Sequence, residues 1–271
     1  MCLSDFKECT VSSFSTENIQ PEPLLPLLTK LQRVQFSEHF LFFEQNNVDI
    51  AVRVNPSSKV KYRRRARAHD VDVMLKLSIK QATDWANRLE LFKKLPLELK
   101  KGILMEYCLG FLLIDQGYKT SKEIFDQDIW LLQNGSFMHP NHCFEVANRE
   151  STEVQKEVHH NSVSELVHCI ASPFRSLEID ETECAALKTI LALSISNSTN
   201  IKGKTKNGIH DKCMKELLRH CMLRSPNQGE KRFGEIILLL SSIRCGVNAL
   251  YHLMIISDLF DFDQFAKNII L

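Results

Sequence analysis

Residues 101–115 read KGILMEYCLGFLLID. Past Lys101 the only charges are Glu106 and Asp115. Ile103, Leu104, Met105, Leu109, Phe111, Leu112, Leu113 and Ile114 point to every side of a helix with 3.6 residues per turn. A helix apolar all round cannot face water and must run inside its domain. Other helices must then wrap it, so this one stretch predicts three layers. Pro96 opens the helix as its first residue, where a missing N–H costs nothing. The apolar pattern ends near Asp115.

Upstream, Val71, Leu75, Ser78, Ala82, Trp85 and Leu89 alternate by four and three residues and share one helical face. The spacing predicts a long helix over about 70–94. Leu24, Leu27, Leu28, Leu31, Val34 and Phe36 supply part of the apolar face of a first helix over about 24–44, behind Pro21 and Pro23. Residues 46–58, with Asn46, Asn47, Pro56, Ser57 and Ser58, read as a connection. Downstream, Asn134–Gly135 sits between the apolar runs Ile129–Leu132 and Phe137–Met138, a hairpin signal because both turn residues tolerate positive φ. It is expected to be the only sheet. Helix is expected over 153–172, where Pro173 ends it. Asp180–Glu181–Thr182–Glu183 is a capping-box pattern for a helix carrying Leu187, Ile190, Leu191 and Ile195. Residues 196–209 read as an exposed loop, followed by helices over about 211–223 and 230–259 and a short amphipathic tail over 260–271.

The 271 residues carry 34 Lys plus Arg and 33 Asp plus Glu, a formal charge of +1, which gives no whole-chain footprint for nucleic acid. Gly and Pro are scarce, at 9 and 8, which disfavours a turn-rich sandwich or barrel. Nine cysteines form no C-x-x-C pair, so no four-cysteine zinc module is visible. With an odd count and Asp5, Lys7 and Glu8 interrupting any leader, they read as reduced thiols of an intracellular protein, mostly buried. The most apolar stretch, Ile236 to Ile256, has Arg244 in its middle and reads as a buried helix rather than a membrane span. The basic run Lys59, Lys61, Arg63, Arg64, Arg65 and Arg67 is either a nuclear-import or anion-binding patch or a solvated linker over 59–68. Enzyme readings find little support. Asp258, Asp261 and Asp263 lack a second acidic cluster, His159–His160 and His168–Cys169 lack ligand spacing, and no Gly-rich phosphate loop occurs. No catalytic or metal-ligating residue is assigned.

Several stretches, taken in order, resemble the ligand-binding domain of nuclear hormone receptors. Trp85–Ala86, Phe92–Lys93–Lys94–Leu95 and Ile103–Leu104 look like that family's signature between its third and fourth helices. Residues 130–138 look like its hairpin, 177–183 with Ala186–Leu187–Lys188 like the start of its eighth helix, and 232–240 like its tenth. The ending, Asp258–Leu259–Phe260–Asp261 through Phe265, is similar to the expanded nematode group related to the hepatocyte-nuclear-factor type. The resemblance covers about residues 24–271, with 1–23 as a flexible tail. It implies an all-α, three-layer antiparallel helical sandwich of about ten helices with one small β-hairpin.

What the resemblance implies for sites follows residue by residue. A pocket for a small lipophilic ligand, or for none, would use Val71, Met74, Leu75, Ser78, Ile79, Ala82, Leu109, Leu112 and Leu113. Ser78, the polar residue of that face, would either anchor a ligand oxygen or bond to its own helix. A groove for a coregulator's amphipathic helix would use Thr83, Asn87, Lys100, Lys101, Leu104 and Met105. The chain departs from the family at several points. Leu99–Lys100 stands for an Asp-Gln pair, Asn87 and Met105 stand at two groove lysine positions, and the terminal helix has no matching Glu. The charge clamp of the family is therefore expected to be lost. No paired zinc modules precede residue 24, so the chain alone is expected not to read DNA. The helix over 230–259 would pair a homo- or heterodimer. The implied role is transcription regulation in the nucleus, with the cytoplasm as a further location. A ligand-free scaffold with a filled core is the alternative.

Overall fold

The computed structural model describes residues 23–54, 61–93, 95–123, 126–144, 152–198 and 204–256. Helix α1 spans Leu24–Gln45, α2 Ala68–Ala86, α3 Glu90–Lys93 and α4 Leu97–Ser121. Helix α5 spans Glu153–Leu166 and passes through a π-helical turn, Val167–Ala171, into α6, Ser172–Ser176. Helices α7 (Glu181–Ser198), α8 (Lys204–Arg224) and α9 (Gly229–Ile256) complete the helices of the described residues. Strands β1 (Val52–Val54) and β2 (Lys61–Arg63) form one antiparallel pair, and β3 (Trp130–Leu131) and β4 (Phe137–Met138) another.

As the uniformly apolar pattern demands, α4 lies at the centre, packed on α2, α7 and α9. Leu104, Tyr107, Phe111, Leu113 and Ile114 are fully enclosed. One outer layer is α1 with α2, the middle is α4 with α7 and α8, and the other outer layer is α5 with α9. Helix α4 does not stop at Asp115. It continues to Ser121 because its buried polar residues find partners on the hairpin. Gln116 accepts the Trp130 indole N–H at 2.7 Å and donates to Gln133 at 2.8 Å, while Thr120 accepts the Leu131 N–H at 2.9 Å. Gly117 lets the π-helical turn approach α4 closely, since a Cβ there would stand 2.6 Å from Ile170.

Four other boundaries differ from the sequence expectation. Helix α2 ends at Ala86 with Asn87 as its C-cap, and a turn leads into the short α3. Pro96 is the N-cap of α4 rather than its first helical residue. Pro173 does not end the helix before it; the π turn shifts the hydrogen-bond register, so a residue without an N–H is carried into α6. The stretch 196–209 is not all loop, since α7 reaches Ser198 and α8 starts at Lys204.

The hairpin forms where expected, but only Gly135 takes positive φ, at 87°. Asn134 instead accepts from the N–H and hydroxyl of Ser136. A second strand pair was not anticipated. Val52 pairs with Arg63 and Val54 with Lys61, so part of the basic run is a strand. Arg64 pairs with Asp49 and with buried Asp70, each at 2.6 Å, and Arg63 pairs with Glu123 at 2.9 Å. Asp70 also accepts from the Arg67 N–H and from Asn134, which ties the start of α2 to the hairpin turn. The tail 1–22, residues 55–60 and the stretch 257–271, with its acids and terminal amphipathic segment, lie outside the described residues.

The start of α1 depends on a distant side chain. Pro23 at the N-cap offers no side-chain acceptor. The Glu216 carboxylate of α8 accepts the Leu24 and Leu25 N–H groups at 3.0 and 2.7 Å instead. A negative group at a helix N-terminus satisfies otherwise unpaired donors and the helix dipole. Replacing Glu216 with alanine is expected to cost about 1 kcal/mol, read as a lower urea midpoint with an unchanged slope.

Candidate functional site

The interior bounded by α2, α4, the hairpin and α9 is where the resemblance places a ligand. Val71, Met74, Leu75 and Leu112 do converge there, with Gln116, Leu132, Met138, Phe144, Leu250, Leu253 and Met254. The space left between them is about 10 Å³. One water needs about 10–15 Å³ on the same measure, so side chains fill this interior. Ser78 is buried and donates to the Cys108 carbonyl of α4 at 2.6 Å, not to its own helix. Ile79, Ala82, Leu109 and Leu113 are buried in the surrounding core. The α9 residues Leu250, Leu253 and Met254 were missed, although their three-and-four spacing marks one helical face.

The six groove positions lie where α2 ends and α4 begins. Asn87 caps α2 and is half-buried. Lys100 lies 5.7 Å from the Phe92 ring centre, and Lys101 pairs with Glu98 at 3.5 Å. Thr83 is nearly enclosed and its hydroxyl has no hydrogen-bond partner among the described residues. Leu104 is fully enclosed, so it belongs to the core beneath that surface rather than to its floor. The Met105 side chain lies outside the description.

Cysteine chemistry is quiet in this interior. Burial pushes the Cys108 and Cys184 thiols well up, and Cys213 to about 12. His159 donates to the His139 carbonyl at 3.0 Å, and His160 contacts Asn141 at 3.2 Å. Those histidines are structural in their contacts. Asp180, Glu183 and His220 bring ligand-type atoms within 4.8 Å of one another. Arginines already occupy the carboxylates: Arg224 reaches Asp180 at 2.6 Å and Arg232 reaches Glu183 at 2.7 Å. The expected capping box is also here, since the Glu183 N–H donates to Asp180 and the Asp180 N–H to Glu183.

Burial would push the Asp180 carboxyl up, but His220, the Glu183 N–H and Arg224 together hold it down at about 2. The Asp180 bond raises His220 against the opposing effect of burial. A raised histidine stabilises the fold fully below its ordinary value of 6.5 and loses that contribution as pH rises through the folded value. The melting-temperature gap between the wild type and His220→Gln should therefore be wider at about pH 6 than at about pH 9. A gap independent of pH would show that His220 acts only by packing.

The family model for the ligand-binding domain of nuclear hormone receptor matches residues 56–260. The chain belongs to that family. It is similar to hepatocyte nuclear factor 4-gamma of Homo sapiens, at 26% identity over 196 residues, covering 69% of this chain and 42% of that protein. The Mus musculus counterpart is 25% identical over 193 residues, with the same coverages. Nuclear hormone receptor family member nhr-71 of Caenorhabditis elegans is 22% identical over 220 residues, 75% of this chain and 37% of that protein. These relatives include both a hepatocyte nuclear factor and a nematode receptor, the two kinds of protein that the ending of the sequence resembles. The chain spans about two-fifths of the length of these curated relatives. Helix α9 is long and apolar enough to cross a membrane; it packs on α4, α5, α7 and α8 along one side, but Leu238, Tyr251 and Ile255 are exposed, so it is not the fully buried helix the sequence led us to expect.

Proposed function

We propose that this chain is the regulatory module of a transcription-controlling nuclear receptor, working in the nucleus through protein partners on an interior that its own side chains fill. The observation that carries this reading is the residual space of about 10 Å³ inside a domain of this family. A partner helix would dock where α2 meets α4, across Thr83, Asn87, Lys100 and Lys101. Cations there would meet the carbonyls at the partner's C-terminus. The apolar side of α9, with Leu238 70% exposed and Tyr251 and Ile255 also exposed, would serve homo- or heterodimer pairing. Partner binding would then favour one arrangement of the domain over others.

A second reading has its own support. Met74, Met138 and Met254 border the interior space, and methionine repacks at low cost. A small lipophilic ligand would open the interior by displacing them. The test is a reporter assay with the chain fused to a heterologous DNA-binding domain, in medium stripped of lipophilic molecules. The partner reading expects the reporter change to persist, and to fall by about tenfold when Lys100 and Lys101 are both replaced by glutamate. Loss of the change on stripping, with recovery on adding lipid extract, would favour the ligand reading.

A further inference from the structure

Residues 139–143 read HPNHC and carry the chain out of the hairpin towards α5. The first four form a tight turn. The His142 N–H donates to the His139 carbonyl at 3.0 Å, and Pro140 stands second, where its fixed φ suits a turn. An imidazole stands at each end of this turn. Their ring centres lie 5.0 Å apart, with the planes inclined by 38°. Two imidazoles that share one tetrahedral ion, at metal–nitrogen distances of about 2.0–2.1 Å, hold their centres about 5 Å apart. The turn therefore sets this pair at the spacing of two ligands of one ion.

Helix α5 braces the turn. His159 is enclosed and donates to the His139 carbonyl at 3.0 Å. Its ring meets Phe144 edge-on, with centres 5.2 Å apart. Asn141 links the turn to His160, since its side-chain oxygen lies 3.2 Å from His160 Nδ1. A carboxamide oxygen only accepts, so His160 donates from Nδ1 and its neutral ring keeps a lone pair on Nε2. Metal-ligating histidines take this form, with the second ring N–H given to an oxygen. The His142 ring is exposed and makes no hydrogen bond among the described residues. His139 Nδ1 accepts the Asn141 N–H at 3.1 Å, so an ion there displaces a single donor. The Asp180, Glu183 and His220 group differs, because arginines already hold its carboxylates.

We propose that His139, His142 and His160 bind a divalent transition ion of the zinc type at the surface, with water completing its coordination. Imidazole nitrogen suits zinc, copper and nickel rather than magnesium or calcium. Closing the set needs a change of rotamer at His160, whose ring is exposed. The bound ion fastens the exit of the hairpin to α5.

The test uses the full chain, kept reduced, with Zn²⁺ as the probe in a calorimetric titration and Co²⁺ as the spectroscopic one. One Zn²⁺ per chain is expected, with a Kd of about 1–100 µM. His142→Ala and His160→Ala should each weaken binding by about tenfold or more. Both rings are exposed, so neither replacement moves the melting temperature of the metal-free chain, which separates loss of the site from loss of the fold. His220→Gln alters the other histidine that stands among carboxylates and should leave the affinity unchanged. The Co²⁺ spectrum should lack the near-ultraviolet charge-transfer band of a thiolate ligand. Absence of saturable binding would overturn the proposal. So would affinity undiminished by His142→Ala or His160→Ala, loss of binding in His220→Gln, or a strong thiolate band.

Discussion

Arg232→Met is expected to destabilise the fold by about 3–5 kcal/mol, with a fall in melting temperature of roughly 6–20 °C. The reason lies in what the substitution strands. Glu183 is fully enclosed at the first turn of α7, and Arg232 from α9 meets both its carboxylate oxygens at 2.7 Å. The same guanidinium donates to the Leu177 carbonyl at 2.7 Å, so it also closes the turn between α6 and α7. Without it, a carboxylate remains in the interior with only Arg224 at 3.3 Å and the Asp180 N–H at 3.0 Å. An uncompensated buried charge costs more than the pair gained by forming. Glu183→Gln keeps an acceptor for the arginine and removes the stranded charge, so it should cost less than Arg232→Met. Chemical denaturation of both variants measures the difference. If Arg232→Met costs less than about 1 kcal/mol, the pair is not holding α7 to α9.

That pair illustrates which parts of the molecule are legible along the chain. Local chemistry read correctly: the apolar run of 101–115 does lie at the centre, and Asp180 and Glu183 do cap α7. Gly135 turns the hairpin with positive φ. Errors arose where a distant partner overrides a local signal. Pro173 reads as a stop, yet a π turn carries the chain through it. Asp115 reads as the end of a helix, yet it is enclosed beside Lys188, and α4 runs on. The Glu216 cap of α1 joins residues 192 apart, a distance no periodicity encodes. The pocket residues show the same division. Helical spacing brought Val71, Met74, Leu75 and Leu112 to one place, but it carries no information on whether space remains between them.

The second large effect concerns Lys188 and Asp115, a pair in which both side chains are enclosed. Their atoms approach to 2.6 Å. The ammonium also lies 3.9 Å from the Phe111 ring centre, 5.2 Å from Trp85 and 5.6 Å from Phe36. Burial pushes Lys188 down and Asp115 up, and each is opposed by the charge of the other. Lys188→Met removes the cation that restrains Asp115 and should cost about 3–5 kcal/mol. The aspartate then titrates under burial alone, with a folded value above its ordinary 3.8. The folded state of this variant binds the extra proton, so its stability falls as pH rises from 3.8 through the raised value. Adding Asp115→Leu removes the stranded carboxyl and replaces the pair with apolar groups. The double variant should return to within about 1 kcal/mol of the wild type, and should lose the pH dependence of the single one. Denaturant midpoints of the four proteins close the cycle. Additive costs, with the double variant as unstable as the sum of the singles, would mean that the aromatic cage around Lys188, and not its pairing with Asp115, carries the stability.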